Sequence, residues 1–286
     1  MTTPTWFITG CSSGFGFEIA REAILRDFNV VATARRPVEL EALVALAPDR
    51  VQALALDVSN TLQAETAVQS ALARFGAIDV LVNNAGRGYL AAIEEGSLDA
   101  VRALFETNVF GPLHLTRLVL PGMRARRAGA VVNMSSIGGL VANPGSGFYA
   151  STKFSIEGWS EALAKEVAPL GIGVMLVEPG PFRTAWTSRS LTGAQDVIAD
   201  YASTAGKRRA EISAPDRQQP GDPRLAAQVI LDAVLSPSPP LRLVLGRRAM
   251  VAAREKMAAV LADIDAWEGV SGGTDVADSA GAVARS

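Results

Sequence analysis

Short apolar runs alternate with longer amphipathic segments along most of this chain. The runs are rich in Val, Ile and Leu and are not polar at every second position, which is typical of strands buried on both faces. Seven strands are predicted, at residues 6–9, 30–34, 51–57, 78–83, 130–135, 173–178 and 241–245. Helices are predicted between them, at about 15–27, 38–47, 60–75, 98–124, 147–169 and 223–235. The alternation predicts an α/β protein with a doubly wound parallel sheet and helices on both faces.

The same pattern predicts a single domain at residues 1–268. A long segment at about 184–222 contains several Pro and Gly residues and little strand character, which is typical of a lid over a site or of a mobile loop. The residue pattern at 247–267 predicts a helix, which packs either on the domain edge or on another subunit. Residues 269–286 are rich in Gly, Ser, Ala and Asp and predict a flexible tail.

Composition narrows the class of protein. The chain has 286 residues and a net charge of -2, without a strong basic stripe, so we expect no nucleic-acid partner. One histidine and one cysteine make a zinc site improbable, and we expect no metal. There is no apolar run of about 18 residues and no N-terminal signal pattern, so we expect neither a membrane span nor secretion. We therefore expect a cytoplasmic protein.

A glycine-rich turn follows the first predicted strand. Gly10 permits a tight turn, and Gly14 and Gly16 allow a pyrophosphate and the next helix to approach the backbone. The N-terminus of that helix offers free N–H groups to phosphate. The turn predicts a dinucleotide site that includes Gly10, Ser12, Ser13, Gly14, Phe15 and Gly16.

The ends of the next three strands predict further cofactor contacts. Arg35 and Arg36 stand where an acidic residue would bind the ribose of NAD, so NADP(H) is favoured over NAD(H); an ordinary basic loop is the alternative. Asp57 either accepts the adenine amino group, beside Val58, or caps the following helix. The fourth strand ends in small residues that let the backbone pass the cofactor, with further contacts expected at Asn84, Ala85 and Gly86.

Tyr149 and Lys153 carry the candidate chemistry. Four residues apart on a helix, they project from one face. A cation near a phenol favours the phenolate and lowers its pKa from about 10, which suits general acid–base catalysis near neutral pH. The alternative is a solvated lysine beside a half-buried tyrosine.

Together these motifs closely resemble the short-chain dehydrogenase/reductase family over about residues 5–245, in its single-domain form. The resemblance rests on residues 9–16, Asp57, residues 83–86, Asn108, Ser136, Tyr149, Lys153, Pro179 and Gly180, in the family's order. It implies the strand order 3-2-1-4-5-6-7. It also implies that Tyr149 is the general acid and base, that Lys153 tunes it and holds the ribose, that Ser136 binds the substrate oxygen, and that Asn108 holds a water.

The resemblance is strongest to members that act on hydroxysteroids and retinoids. It implies that Pro179, Gly180, Phe182 and Thr184 hold the nicotinamide carboxamide. The substrate is expected to contact Ser136, Tyr149, Phe182 and Trp186, with Leu90, Val141 and Phe148 as further wall residues. An apolar pocket of this kind favours a ketone, aldehyde or alcohol with bulky apolar flanks. A homodimer or homotetramer is expected through helices 98–124 and 147–169.

The leading hypothesis is an NADP(H)-dependent carbonyl reductase or alcohol dehydrogenase. An epimerase or dehydratase acting on a nucleotide sugar uses the same tyrosine and lysine, but usually has a longer chain and a different glycine spacing. A non-catalytic dinucleotide sensor or scaffold of the same fold is the third hypothesis. Absence of turnover despite tight cofactor binding would favour it.

Overall fold

Nine strands form in the computed structural model, which describes residues 3–212 and 219–275. They are β1 (Thr5–Ile8), β2 (Asn29–Ala34), β3 (Val51–Ala55), β4 (Val80–Asn83), β5 (Gly88–Leu90), β6 (Gly129–Met134), β7 (Ile172–Pro179), β8 (Leu191–Gly193) and β9 (Arg242–Leu245). Seven of them make one sheet in the order β3-β2-β1-β4-β6-β7-β9, with every pair parallel. The predicted fold and strand order are confirmed, since the observed order equals the predicted one once β5 and β8 are left out of the count.

Ten helices connect or follow these strands. They are α1 (Gly14–Leu25), α2 (Glu41–Val44), α3 (Thr61–Phe75), α4 (Leu98–Phe105), α5 (Gly111–Arg126), α6 (Gly147–Val167), α7 (Trp186–Arg189), α8 (Lys207–Ile212), α9 (Pro223–Val234) and α10 (Arg247–Ser271). Local chemistry sets several ends: the Asn60 side chain accepts from the Gln63 N–H at 3.0 Å at the start of α3, and Gly76, at φ 78°, ends it.

The hydrophobic core lies on both faces of the sheet, as parallel strands require. On one face, α1 and α9 pack together through residues such as Ile19 and Ile230, both 0% exposed. On the other, α3, α5 and α6 cover residues such as Phe7 and Leu81, also fully buried. Because helices occupy both faces, the carboxyl ends of the strands remain open for a ligand.

Three segments differ from the prediction. The region expected to be one helix at 98–124 is α4 and α5 joined by a π-helical turn at Glu106–Phe110. The region at 184–222 contains α7, β8 and α8, and β8 pairs in parallel with β5. Residues 213–218 of that region lie outside the described residues. The helix α10 continues through Ser271, past the start of the predicted tail at 269, and residues 276–286 also lie outside the described residues.

Candidate active site

A cleft of about 1640 Å³ runs across the carboxyl ends of the strands. It brings together nearly all of the cofactor, catalytic and substrate residues predicted from the sequence. Those lining it are Gly10, Ser12, Ser13, Gly14, Phe15, Arg35, Arg36, Asp57, Val58, Asn84, Ala85, Gly86, Ser136, Tyr149, Lys153, Pro179, Gly180, Phe182, Thr184 and Trp186. Gly16 and Asn108 lie behind this surface, where each supports residues that line it.

The glycine-rich turn is shaped by backbone conformation and by one asparagine. Gly10 and Gly14 have φ of 70° and 60°, which favour glycine. A Cβ on Gly16 would lie 2.4 Å from both Gly10 O and Asn84 Nδ2, so only glycine lets α1 approach this closely. The Asn84 amide donates to the carbonyls of Thr9 and Gly10 at 2.8 and 3.2 Å, so its side chain holds the turn in place.

The start of α1 is suited to a phosphate group. The N-cap residue Ser13 makes no side-chain hydrogen bond to the first turn of α1, in contrast to Asn60 at α3. The first-turn N–H groups at Gly14 and Phe15 are therefore available beside the cleft. These residues fit the pyrophosphate of a dinucleotide.

The two arginines after β2 differ in their surroundings. Arg36 is paired with Glu39, whose other neighbour is Arg189 at 2.8 Å. Arg35 is exposed at the cleft and has no ion-pair partner among the residues that the structure describes. Of the two, Arg35 therefore has the guanidinium available for an anionic ligand.

The side chain of Asp57 does not cap α3, which was one of the two roles predicted for it. Its Oδ1 accepts from the N–H of Ser59 at 3.0 Å and from the Ser59 hydroxyl at 2.6 Å. Asn60 caps α3 instead. The carboxylate of Asp57 nevertheless lines the cleft, so an adenine contact there remains a prediction.

Ser136 and Tyr149 form the centre of the candidate active site. Ser136 precedes a 3₁₀ turn (Ile137–Gly139), and its Oγ accepts from the Gly138 N–H at 3.0 Å. A Cβ on Gly138 would lie 3.4 Å from Ser136 Oγ and 3.3 Å from Tyr149 Cε1, so the serine hydroxyl is fixed beside the tyrosine ring. The Tyr149 ring in turn packs on Trp186, with 5.5 Å between centroids.

The phenol of Tyr149 is a weaker acid here than the sequence predicted. Burial raises its pKa to about 12, and the nearby Ser136 hydroxyl only partly opposes this. Lys153 does not hydrogen-bond the phenol; its Nζ lies 5.7 Å from the centre of the ring. The expected lowering of the Tyr149 pKa by Lys153 is not seen in this structure, where burial dominates.

Lys153 is buried, with 6% exposure. Its Nζ donates to the carbonyl of Met134 at the end of β6, at 2.7 Å. Burial lowers the pKa of Lys153 to about 8, and the nearby carboxylate of Glu157 acts in the opposite direction. The lysine is thus held at the cleft by β6 and supported from behind by an acid on its own helix.

Asn108 lies in the π-helical turn and ties two parts of the site together. Its Oδ1 accepts from the Arg87 N–H at 2.9 Å. Its Nδ2 donates to the Arg87 carbonyl at 2.9 Å and to the Thr152 hydroxyl at 3.1 Å. The segment after β4 is therefore fixed to α6, next to Lys153. The predicted water held by Asn108 stays a prediction.

Behind Lys153 lies a cluster of charges that the sequence analysis missed. Arg242 on β9 contacts Glu157 at 3.1 Å, Glu161 at 2.7 Å and Glu178 at 3.5 Å. Glu178 is fully buried, and its pKa is raised to about 7, first by burial and then by Glu157. Two signals were available: the four-residue spacing from Lys153 to Glu157, and an acid inside the apolar run of β7.

Four of the apolar side chains predicted to contact the substrate line the cleft, and one of them, Phe182, also packs on Phe15 with 5.0 Å between ring centroids. The four are Leu90, Val141, Phe182 and Trp186. Phe148, expected here as well, instead packs on Tyr89 with 6.1 Å between ring centroids.

Gly88, on β5, leaves room for the indole of Trp186. A Cβ on Gly88 would lie 2.3 Å from Trp186 Cζ2. The pairing of β5 with β8 therefore holds the segment after Thr184 against the segment after Gly86.

Within residues 3–212 and 219–275, no group of three His, Cys, Asp or Glu residues is arranged to hold a metal ion. Over the same residues, no helix combines the length and apolar character needed to cross a bilayer.

Comparison with known proteins agrees with this geometry. Residues 4–194 match the short chain dehydrogenase family. The crystal structure of a short-chain dehydrogenase from Streptomyces avermitilis is similar with a TM-score of 0.89 and 43% identity, covering 96% of this chain and 98% of that one. The 3-ketodihydrosphingosine reductase of Bacteroides thetaiotaomicron is 37% identical over 240 residues (84% of this chain, 86% of the relative). Retinol dehydrogenase 8 of Homo sapiens is 36% identical over 253 residues (83% and 80%). The chain belongs to the short-chain dehydrogenase/reductase family, a family of NAD(P)-dependent oxidoreductases.

Proposed function

We propose that this protein is an NADP(H)-dependent oxidoreductase that interconverts a ketone or aldehyde and an alcohol on a bulky, mostly apolar substrate. One observation carries the proposal: the side chains of Ser136 and Tyr149 lie close together and line the same cleft as the glycine-rich turn. A proton donor, an oxygen-binding hydroxyl and a dinucleotide site are the parts that carbonyl reduction requires.

Burial keeps the phenol of Tyr149 in its protonated form, which is the form that carbonyl reduction requires. At neutral pH the phenol is protonated, and it donates that proton to the carbonyl oxygen. Ser136 hydrogen-bonds the same oxygen and stabilises the negative charge that develops on it. Lys153 places positive charge near the ring and favours the phenolate that the proton transfer leaves. Reduced nicotinamide, when bound, supplies the hydride to the carbonyl carbon.

The preference for NADP(H) is supported by Arg35. Its guanidinium lies just past the end of β2, where a ribose 2′-phosphate would meet a planar, bidentate donor. Arg36 is less suited because it is paired with Glu39. Replacing Arg35 by Ser should raise the KM for NADPH about 10-fold and change that for NADH little, because one charge-assisted contact is lost. The same change at Arg36 is the matched control, and equal losses with both cofactors at Arg35 would contradict the assignment.

The apolar lining at Leu90, Val141, Phe182 and Trp186 supports a bulky apolar substrate. The names of the two relatives, a reductase of 3-ketodihydrosphingosine and a retinol dehydrogenase, point to the same kind of chemistry. We therefore expect long-chain or polycyclic ketones to be reduced faster than short polar ones.

A panel of ketones, aldehydes and alcohols, assayed with NADPH and NADH, tests the proposal. Oxidation of NADPH in the presence of apolar ketones is the expected result, and the Tyr149→Phe variant should bind NADPH but not turn over. Reduction of polar sugars alone would refute the substrate class. Tight NADPH binding without turnover on any member of the panel would favour the non-catalytic sensor.

A further inference from the structure

The helix α10 leaves the domain and exposes a long apolar surface. Ala249 is its one residue with less than 9% exposure, and every residue from 254 to 271 is exposed. The exposed side chains include large apolar ones: Met250 (43%), Met257 (47%), Val260 (37%), Leu261 (58%), Ile264 (58%) and Trp267 (63%). Apolar surfaces of this extent on a folded protein mark an interaction site.

These residues follow the spacing of a coiled coil. Met250, Met257 and Ile264 are seven residues apart, and Ala253, Val260 and Trp267 form a second series seven apart. The steps between the two series alternate between three and four residues, which places all six on one stripe of the helix. The stripe suits another helix of the same kind.

Charge is distributed unevenly along α10. Its first half carries four basic residues and one acid, and its second half carries three acids and no basic residue, as follows: Arg247, Arg248, Arg254, Glu255 and Lys256, then Asp263, Asp265 and Glu268. A helix that is basic at one end and acidic at the other complements a second copy that runs in the opposite direction.

We propose that a second copy of this chain covers the stripe, with the two α10 helices packed antiparallel. One register fills the stripe on both helices: Met250 lies against the partner's Trp267, and Met257 against the partner's Val260. Ala253 lies against the partner's Ile264, so that a small and a large residue meet in that layer.

The same register pairs the charges at the edges of the stripe. Lys256 faces the partner's Asp263, and Arg247 faces the partner's Glu268, each pair occurring twice by symmetry. In a parallel pair, Asp263 would instead face the partner's Glu268, which places like charges together. The apolar layers and the charges therefore select one orientation. The proposal does not depend on the proposed catalytic function or on an interface through α5 and α6.

Disulfide cross-linking of the full chain tests the orientation. In the antiparallel pair, residue 250 lies beside residue 267 of the second copy, whereas two residues 250 are about 25 Å apart. Mixed Met250→Cys and Trp267→Cys proteins should cross-link under mild oxidation, and neither variant should cross-link alone. The native Cys11 is fully buried and does not compete. Cross-linking of Met250→Cys alone would show a parallel pair, and no cross-link in the mixture would refute the pairing.

Charge reversal tests the register by a second route. Lys256→Glu turns two attractive pairs into two repulsive ones and should weaken self-association through α10 at least about 10-fold in sedimentation equilibrium. Adding Asp263→Lys should restore it, with the helical circular dichroism signal unchanged throughout. Unchanged association in the single variant would contradict the proposal. So would co-sedimentation of wild-type protein with phosphatidylserine vesicles when the cysteine mixture fails to cross-link, since the stripe would then bind lipid.

Discussion

The two sides of Lys153 are built differently. Towards the cleft lies the Tyr149 ring, 5.7 Å from Nζ, and the Ser136 hydroxyl beside that ring is fixed by a hydrogen bond from Gly138. Away from the cleft lie Glu157 and Arg242, with two further carboxylates around the guanidinium. The reacting side is kept neutral, and the charge that supports the lysine is supplied from behind. Burial disfavours the charged form of each group. It therefore raises the pKa of Tyr149 and of Glu178 and lowers the pKa of Lys153.

The largest effect is expected on the cleft side. Tyr149→Phe removes the one proton donor of the Ser136–Tyr149 pair and should lower kcat by about 1,000-fold or more, while the free energy of unfolding changes little. Tyr201→Phe is the matched control, because that phenol contacts Glu94 outside the cleft. If Tyr149→Phe kept more than a tenth of wild-type turnover, the proton donor would not lie on the cleft side of Lys153, and the proposed difference between the two sides would be wrong.

Arg242→Met tests the charged side. The change leaves Glu157 and Glu178 without their cation in a buried site, so urea unfolding should show a loss of about 2–3 kcal/mol, reduced by the partial exposure of the arginine. Arg248→Met, at an exposed position nearby, should change the free energy of unfolding by less than about 0.5 kcal/mol. Equal effects of the two changes would mean that the carboxylates do not need Arg242.

Glu178 gives this side a pH dependence. Its pKa is raised from 4.5 to about 7, so between these values the folded protein holds a proton that the unfolded chain has lost. The free energy of unfolding of the wild type therefore falls as pH rises through this window. The Glu178→Gln variant has no such group, so its stability should fall less and should exceed that of the wild type by about 1–2 kcal/mol at pH 8.

Unfolding free energies at pH 5 and pH 8 provide the measurement. The control is Glu161→Gln, because Arg242 and Lys165 hold the pKa of Glu161 below its ordinary value and its loss should lower stability at pH 8. Destabilisation by Glu178→Gln at pH 8 would show that the buried carboxylate is better satisfied than its contacts suggest.

The smallest expected effect tests how the charged side of Lys153 acts on the lysine itself. Glu157 raises the pKa of Lys153, so Glu157→Gln should lower it and move the alkaline fall in kcat by about half a pH unit to lower pH. The pH profile of kcat measures this shift, and kcat near pH 6.5 should stay close to wild type. A uniform drop in kcat at every pH would show instead that Glu157 only supports the fold.

The sequence predicted the parts of the molecule that depend on local pattern. Buried apolar runs gave the strands, and glycine, tyrosine and lysine spacings located the cleft residues, because these motifs follow directly from strand ends and helix periodicity. The cluster behind Lys153 depends on Glu157 and Arg242, which are 85 residues apart and meet only after β9 joins the sheet. The spacing of Lys153 and Glu157 and the acid in β7 indicate the acidic members of the cluster, but no local pattern indicates that Arg242 meets them.

The ionisation of Tyr149 could not be predicted from the sequence either. Four-residue spacing placed Lys153 on the correct face of α6, but the pKa depends on how much water reaches the phenol. One neighbour that covers the ring is Trp186, which lies in the segment held by the pairing of β5 with β8. The short strands have three residues each, too few to show a period in the sequence.

Gly88 takes no part in the chemistry, yet it controls the shape of the site. Any larger residue there would push the indole of Trp186 from its seat, and with it the wall against which the Tyr149 ring rests. Substitution of Gly88 alone could thus change the range of substrates that fit the cleft, with the proposed catalytic residues left unchanged.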